Sequence, residues 1–179
     1  MGQRDRVLFI QPPTSFSQTS PCLDDKQFGL GLLANAAWLE AHGFGVCGLH
    51  ISLALHYGFE EEDVKAFILK EDPIVIAIGL NWVHFSSGAL EVACLVKALP
   101  PHVPVYIGGQ HATMFAEEIA NTNTPYVDGV IRGEANHALT FKSDHSIGAA
   151  HLDIQSNHQL SRLSLYGNVR SMLFCLTRR

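Results

Sequence analysis

Val103-Pro104-Val105-Tyr106-Ile107-Gly108-Gly109-Gln110-His111-Ala112-Thr113 joins a short β-branched run to a glycine pair. A helix-like segment, Met114-Phe115-Ala116-Glu117-Glu118-Ile119, follows at once. The pattern reads as a strand–turn–helix junction with the side chains removed at the turn, so that backbone can come close to something bulky. In open α/β sheets such junctions lie at the carboxyl ends of the strands, where ligands sit. Gly108 and Gly109 therefore have two readings, a ligand's close approach or a tight turn with helix packing.

Working outward, strand-like and helix-like segments alternate. Val7-Leu8-Phe9-Ile10 is a short apolar run ended by Gln11-Pro12-Pro13, a buried first strand. A polar loop runs from Thr14 to about Lys26. From Gly29 to His42, Leu30, Leu33, Ala34, Ala37, Trp38 and Ala41 recur at helical spacing, and Gly43 stops the helix. Phe44–Leu49 is a second strand, weakened by glycines. Glu60-Glu61-Glu62-Asp63 opens a helix through Lys70, its acids at the positive end of the dipole.

Ile74–Leu80 lacks polar alternation, as expected of a central parallel strand covered on both faces. Ser86 or Ser87 caps a helix to about Leu99, which Pro100-Pro101 ends. Val103–Ile107 is the fourth strand, with a helix over about Ala112–Asn121. Tyr126–Ile131 is the fifth, with the turn Arg132-Gly133-Glu134-Ala135-Asn136 and a short helix after it. The fold expected is α/β, flavodoxin-like (Rossmann-like). It has a five-stranded parallel sheet with helices on both faces, in the order 2-1-3-4-5, and a switch point between the first and third strands.

After about Lys142 the character changes. Residues 143–168 are polar and weakly periodic, a linker or surface arm. Val169–Leu176 reads as one more strand before Thr177-Arg178-Arg179. The expected division is a domain over residues 1–142, then a linker and the start of a truncated domain over 143–179.

Of 179 residues 47% are hydrophobic and 16% charged, which suits one domain with a sizeable core. The net charge of −5 argues against nucleic acid as a partner, which a basic patch would attract. No apolar run reaches the ~18 residues that span a bilayer. The first residues carry no signal-peptide h-region, so a cytoplasmic protein with no membrane partner is expected. Gly2 invites a myristoylation reading that Arg6 rules out. Four dispersed cysteines argue against a disulfide framework or closed zinc site, and Cys47 and Cys94 read as buried thiols. No P-loop or nucleophile motif occurs.

Gln11-Pro12-Pro13, Phe28-Gly29-Leu30-Gly31-Leu32-Leu33-Ala34, Leu39-Glu40-Ala41-His42-Gly43, Gly108-Gly109-Gln110-His111-Ala112-Thr113 and Val130-Ile131-Arg132-Gly133-Glu134 occur in that order. Together they resemble the N-terminal cobalamin-binding domain of the cobalamin-dependent radical S-adenosylmethionine enzymes, over about residues 5–142. In that family the domain precedes a barrel bearing C-x-x-x-C-x-x-C, which binds a 4Fe-4S cluster and S-adenosylmethionine. The chain carries no such triad and stops where the barrel would begin. The resemblance thus implies a fragment that is inactive alone, with the radical barrel as its missing partner; a true gene end is the alternative. For the intact protein it implies a methylcobalamin methyl carrier or another radical rearrangement partner.

Cobalamin domains that ligate cobalt through histidine carry D-x-H-x-x-G after the first strand. Here Gln11-Pro12-Pro13-Thr14-Ser15-Phe16 stands there, and His50 and His56 follow the second strand, in the wrong loop. The resemblance therefore implies cobalamin without a protein histidine ligand and no metal-ligating residue in this chain. Cobalamin needs a flat apolar surface, a slot for its nucleotide tail, and hydrogen bonds at the ring rim. The candidates are the loops at the strand ends: Pro12, Pro13 and Thr14; Asn81, Trp82, Val83, His84 and Ser86; Gly108, Gly109, Gln110 and His111; and Arg132, Gly133 and Glu134.

Bland roles stand beside these. Trp82 either stacks on the corrin or caps the sheet edge. His84 lies below the cobalt or is an ordinary loop histidine. His111 bonds ring or tail amides or merely starts a helix. Arg132 and Glu134 meet the corrin rim or the barrel, or simply pair with each other. A cofactor-free interaction domain of the same fold is the second functional reading. A flavin or nucleotide binder is the third, weakened by the lack of a Ser/Thr/Gly-rich phosphate cradle in the first loop.

Overall fold

Arg6–Gln11 forms β1, and Leu8, Phe9 and Ile10 within it are almost completely buried. The computed structural model describes residues 6–17, 28–100, 103–122 and 125–135. On either side of β1 lie β2 (Gly45–His50) and β3 (Val75–Gly79). Beyond β3 come β4 (Val105–Gly108) and β5 (Gly129–Ile131). All pairs are parallel, in the order β2-β1-β3-β4-β5. Leu8 stands level with Cys47 of β2 and Ile76 of β3, so β1 is covered by strands on both edges.

Strand alternation divides the core in two. Leu8, Ile10, Ile76, Ile78, Val105 and Ile107 face α2 (Ile51–His56), α3 (Glu61–Glu71) and α4 (Ser86–Lys97). Val7, Phe9, Ala77 and Tyr106 face α1 (Leu30–Ala41). A side chain such as Leu8 or Phe9 contributes roughly 1.5–3 kcal/mol when fully buried. The half-exposed Arg6–Glu71 ion pair at the far end of β1 contributes ~0–1 kcal/mol. Burial, not charge, therefore holds β1 in the middle of the sheet.

Several expectations change at the level of elements. The buried stripe of α1 is Leu32, Ala36 and Leu39, whereas Leu30 is 76% exposed and Ala41 is on the surface. The helix is apolar nearly all round, so periodicity alone could not choose its inner face. Packing chooses it: a Cβ on Gly79 would stand 2.8 Å from Leu32 Cδ1, so α1 lies directly on β3. The six-residue α2 replaces an expected loop, with His50 Nδ1 accepting from Leu53 N at 3.2 Å at its start. The expected helix over 112–121 is broken at Phe115 into α5 (Gln110–Met114) and α6 (Ala116–Thr122). Neither Ser86 nor Ser87 caps α4; a 3-10 turn, Val83–Phe85, leads straight into it. Cys94 is exposed on α4, while Cys47 is buried as expected. The fifth strand is shortened to three residues. Asp128 before it takes Val105 N at 2.6 Å and Lys97 Nζ at 2.5 Å on one carboxylate oxygen. The expected helix after residue 135, the polar segment and the strand over 169–176 lie outside the described residues. No helix among the described residues is long and apolar enough to cross a membrane.

The loop after β1 is fastened to α4. Gly88 N donates to Thr14 O at 3.0 Å. A Cβ on Gly88 would stand 1.9 Å from Pro13 O. The Glu91 carboxylate accepts from Phe16 N at 2.8 Å, Ser15 Oγ at 3.0 Å and Ser87 Oγ at 3.1 Å. Replacing a mid-helix glycine by alanine ordinarily stabilises by ~0.5–1 kcal/mol. Here the overlap with backbone costs about 1–3 kcal/mol, so Gly88→Ala should lower Tm rather than raise it, as thermal unfolding by circular dichroism would show.

Candidate functional site

The carboxyl edge of the sheet is organised around the end of β3. Leu80 N donates to Gly108 O at 2.7 Å, and Leu80 O accepts from Ala112 N at 3.2 Å. Asn81 Oδ1 accepts from Gln110 N at 3.2 Å. Gly109 has φ +119° and ψ 179°, a region open in practice only to glycine. A Cβ there would stand 2.6 Å from Leu80 O and 2.7 Å from Asn81 Oδ1. The missing side chain of Gly109 thus makes room for the protein's own β3 loop, which accounts for the tight-turn reading of this glycine. Gly108 differs: its Cβ would meet Ile131 Cβ at an ordinary 3.5 Å, so the fold does not demand glycine there.

Asn81 also faces the start of α1, where a Cβ on Gly29 would stand 2.8 Å from its Nδ2. Gly29 N in turn points at Gln11 Oε1, 3.4 Å away, from the end of β1. Three loops therefore meet at one carboxamide. Gln11 and Gly29 were legible only as punctuation, because their partners are far away in sequence. On the other side, Thr113 Oγ1 donates to Gly109 O at 2.8 Å and accepts from Gly133 N at 2.9 Å. Gly133 turns the β5 loop with φ +71°.

Around this frame the candidate residues fall into classes. Trp82 and Val83 are 61% and 68% exposed, held out by the 3-10 turn whose Phe85 is buried. His84 is exposed, its ring tilted against Phe85 with centroids 4.2 Å apart. The Ser86 hydroxyl is buried with no hydrogen-bond partner among the described residues. Gln110 is exposed and His111 half-buried against Phe115, centroids 4.5 Å apart. Arg132 is half-buried, while Gly133 and Glu134 are exposed. Pro12 and Pro13 are buried, which leaves Thr14 as the half-exposed member of the first loop. The β3, β4 and β5 loops are thus brought together by hydrogen bonds. The β1 loop instead packs on α4.

His50 is the last residue of β2 itself, level with Gln11 of β1 and fully buried. Its Nδ1 is engaged by the start of α2, and Phe28 meets its ring edge-on at 5.1 Å. Among the described residues no group of three or more His, Cys, Asp or Glu side chains is placed to hold a metal ion.

A family model described as B12 binding domain matches residues 23–140. Among solved structures, the chain resembles the methanol:cobalamin methyltransferase complex MtaBC from Methanosarcina barkeri with a TM-score of 0.51 and 17% identity. That likeness, one of fold, covers 80% of this chain and 47% of the other, so this chain spans about half the length of its structural counterpart. No curated protein matches the sequence. The matched segment takes in the first helix, the β3 loop, the glycine-pair turn and the β5 loop, and on that match this chain belongs to the B12-binding domain family.

Proposed function

We propose that this chain holds cobalamin across the carboxyl edge of its sheet, as the cobalamin-carrying domain of a radical S-adenosylmethionine methyltransferase or related radical enzyme. The observation that carries the reading is the rigid glycine-pair turn set beside two large exposed apolar side chains, Trp82 and Val83. Exposed apolar groups clustered on one rim call for a cover of matching chemistry. The size of the edge agrees. Thr14 follows β1 and Gly133 follows β5, three strand spacings apart, so a ligand touching both must span roughly 14 Å. A flat macrocycle with a rim of amides meets that demand, and a lone phosphate does not.

Cobalamin supplies a cobalt centre for one-carbon transfer or radical chemistry. This chain's part is to bind and orient. Trp82 and Val83 offer the apolar face. Gln110, His111 and Arg132 offer hydrogen bonds to amides at the rim. Gly108 leaves backbone open to close approach. The β1 loop carries no histidine in sequence, and His50 Nδ1 accepts from the start of its own helix; both support the reading that cobalamin would be held without a protein histidine ligand. The radical-enzyme context draws on the order of the Gly-Gly-Gln-His-Ala-Thr and Arg-Gly-Glu pieces. A following barrel would carry the 4Fe-4S cluster and S-adenosylmethionine.

Titration with hydroxocobalamin, followed by visible spectroscopy and calorimetry, should show saturable binding with a base-off spectrum. A folded chain that ignores high micromolar cobalamin would favour the cofactor-free interaction domain. Trp82→Ala should weaken binding about tenfold, equivalent to ~1.4 kcal/mol, with little change in Tm because the ring is exposed. The two glycines should separate: Gly109→Ala lowers Tm by forcing ~1–3 kcal/mol of backbone strain, whereas Gly108→Ala leaves Tm alone and weakens cobalamin binding.

A further inference from the structure

Thr113 does more than an ordinary helical threonine. A threonine hydroxyl often donates to the carbonyl four residues back, and Thr113 Oγ1 does so to Gly109 O at 2.8 Å. Its own amide donates to the same oxygen at 2.9 Å. The unusual contact is the second one on the hydroxyl: it accepts from Gly133 N, twenty residues on, at 2.9 Å. A hydroxyl oxygen can donate once and accept once; an amide or carboxylate oxygen cannot do both, and an alkyl group does neither.

The two ends of this bridge are not equivalent. Gly109 is immobilised by its nesting against Leu80 O and Asn81 Oδ1. Gly133 is exposed, lies beyond the last ladder residue Ile131, and turns with a positive φ. The fixed end therefore sets the other. Resting on the cobalamin reading above, we infer that Thr113 is a positioning residue: its hydroxyl sets the Arg132-Gly133-Glu134 loop against the glycine-pair turn, so that both loops meet the corrinoid in register. The connection runs from Asn81 at the end of β3, through Gly109 and Thr113, to the end of β5. It joins the three loops that carry most of the candidate binding residues. Because Gly133 is exposed, water replaces the lost acceptor when the hydroxyl is removed. Loop placement, not global stability, should respond.

Thr113→Val keeps the shape and deletes the hydroxyl, Thr113→Ala deletes both, and Thr113→Ser keeps the hydroxyl. Two readouts are taken on each: hydroxocobalamin affinity by calorimetry, and exchange of the Gly133 amide proton by NMR without cobalamin. Val and Ala should speed Gly133 exchange and weaken binding about tenfold at nearly unchanged Tm, while Ser stays within about twofold of the parent. Unchanged Gly133 exchange in both Val and Ala variants overturns the bridge. Faster exchange with unchanged affinity overturns the positioning role, as does a Ser variant that binds as weakly as Val. A parent chain that binds no hydroxocobalamin overturns the cobalamin reading and this role with it, and Gly133 exchange then still reports whether the bridge forms.

Discussion

The nesting of Gly109 against the Leu80 carbonyl is the contact on which the carboxyl edge depends. With φ +119° and no side chain, the chain leaving β4 turns directly over the chain leaving β3. That closeness lets Asn81 reach Gln110 N, lets Ala112 N reach Leu80 O, and starts α5 in the right place. Any Cβ at this position would separate the two loops. The exposed Trp82–His84 segment would then lose the backing that presents it. A local steric requirement of one glycine thus governs the arrangement of three loops.

A second fastening works on the opposite side of the β1–β3 switch point. There Gly88 and Glu91 of α4 hold the loop after β1, one by having no side chain and the other by collecting three donors on its carboxylate. The two fastenings leave different things exposed. Pro12 and Pro13 are drawn inward, while Trp82, Val83 and Gln110 remain outside. Hydrogen bonds among the loops hold this edge in place, so a ligand that docked there would leave little to order. Membership of the B12-binding domain family accords with a large, flat ligand on such a surface.

The strands were legible because parallel strands buried on both faces need unbroken apolar runs, and Val7–Ile10 and Ile74–Leu80 have them. Strand–helix alternation gave the parallel sheet, the order 2-1-3-4-5 was expected by analogy with flavodoxin-like folds, and the structure has that order. The inner face of α1 was not legible, since Leu30, Leu32, Leu33, Ala36, Ala37 and Leu39 surround the helix and any stripe could be read. Six-residue α2 was too short for periodicity to register. No glycine or proline stands at the break at Phe115, so the residue types there did not mark it.

The sequence by itself determined the fold class and the placing of the glycine pair at the end of the fourth strand, because these rest on patterns a few residues long. Only the tertiary structure decided what each glycine is for. Gly109 answers to Leu80, 29 residues before it, and Gly88 to Pro13, 75 residues before it. It also decided that Thr113 joins Gly133 and that Glu91 holds Ser15 and Phe16. Hydrogen bonds and steric exclusions act over a few ångströms in space. Folding, not sequence proximity, selects which residues come that close.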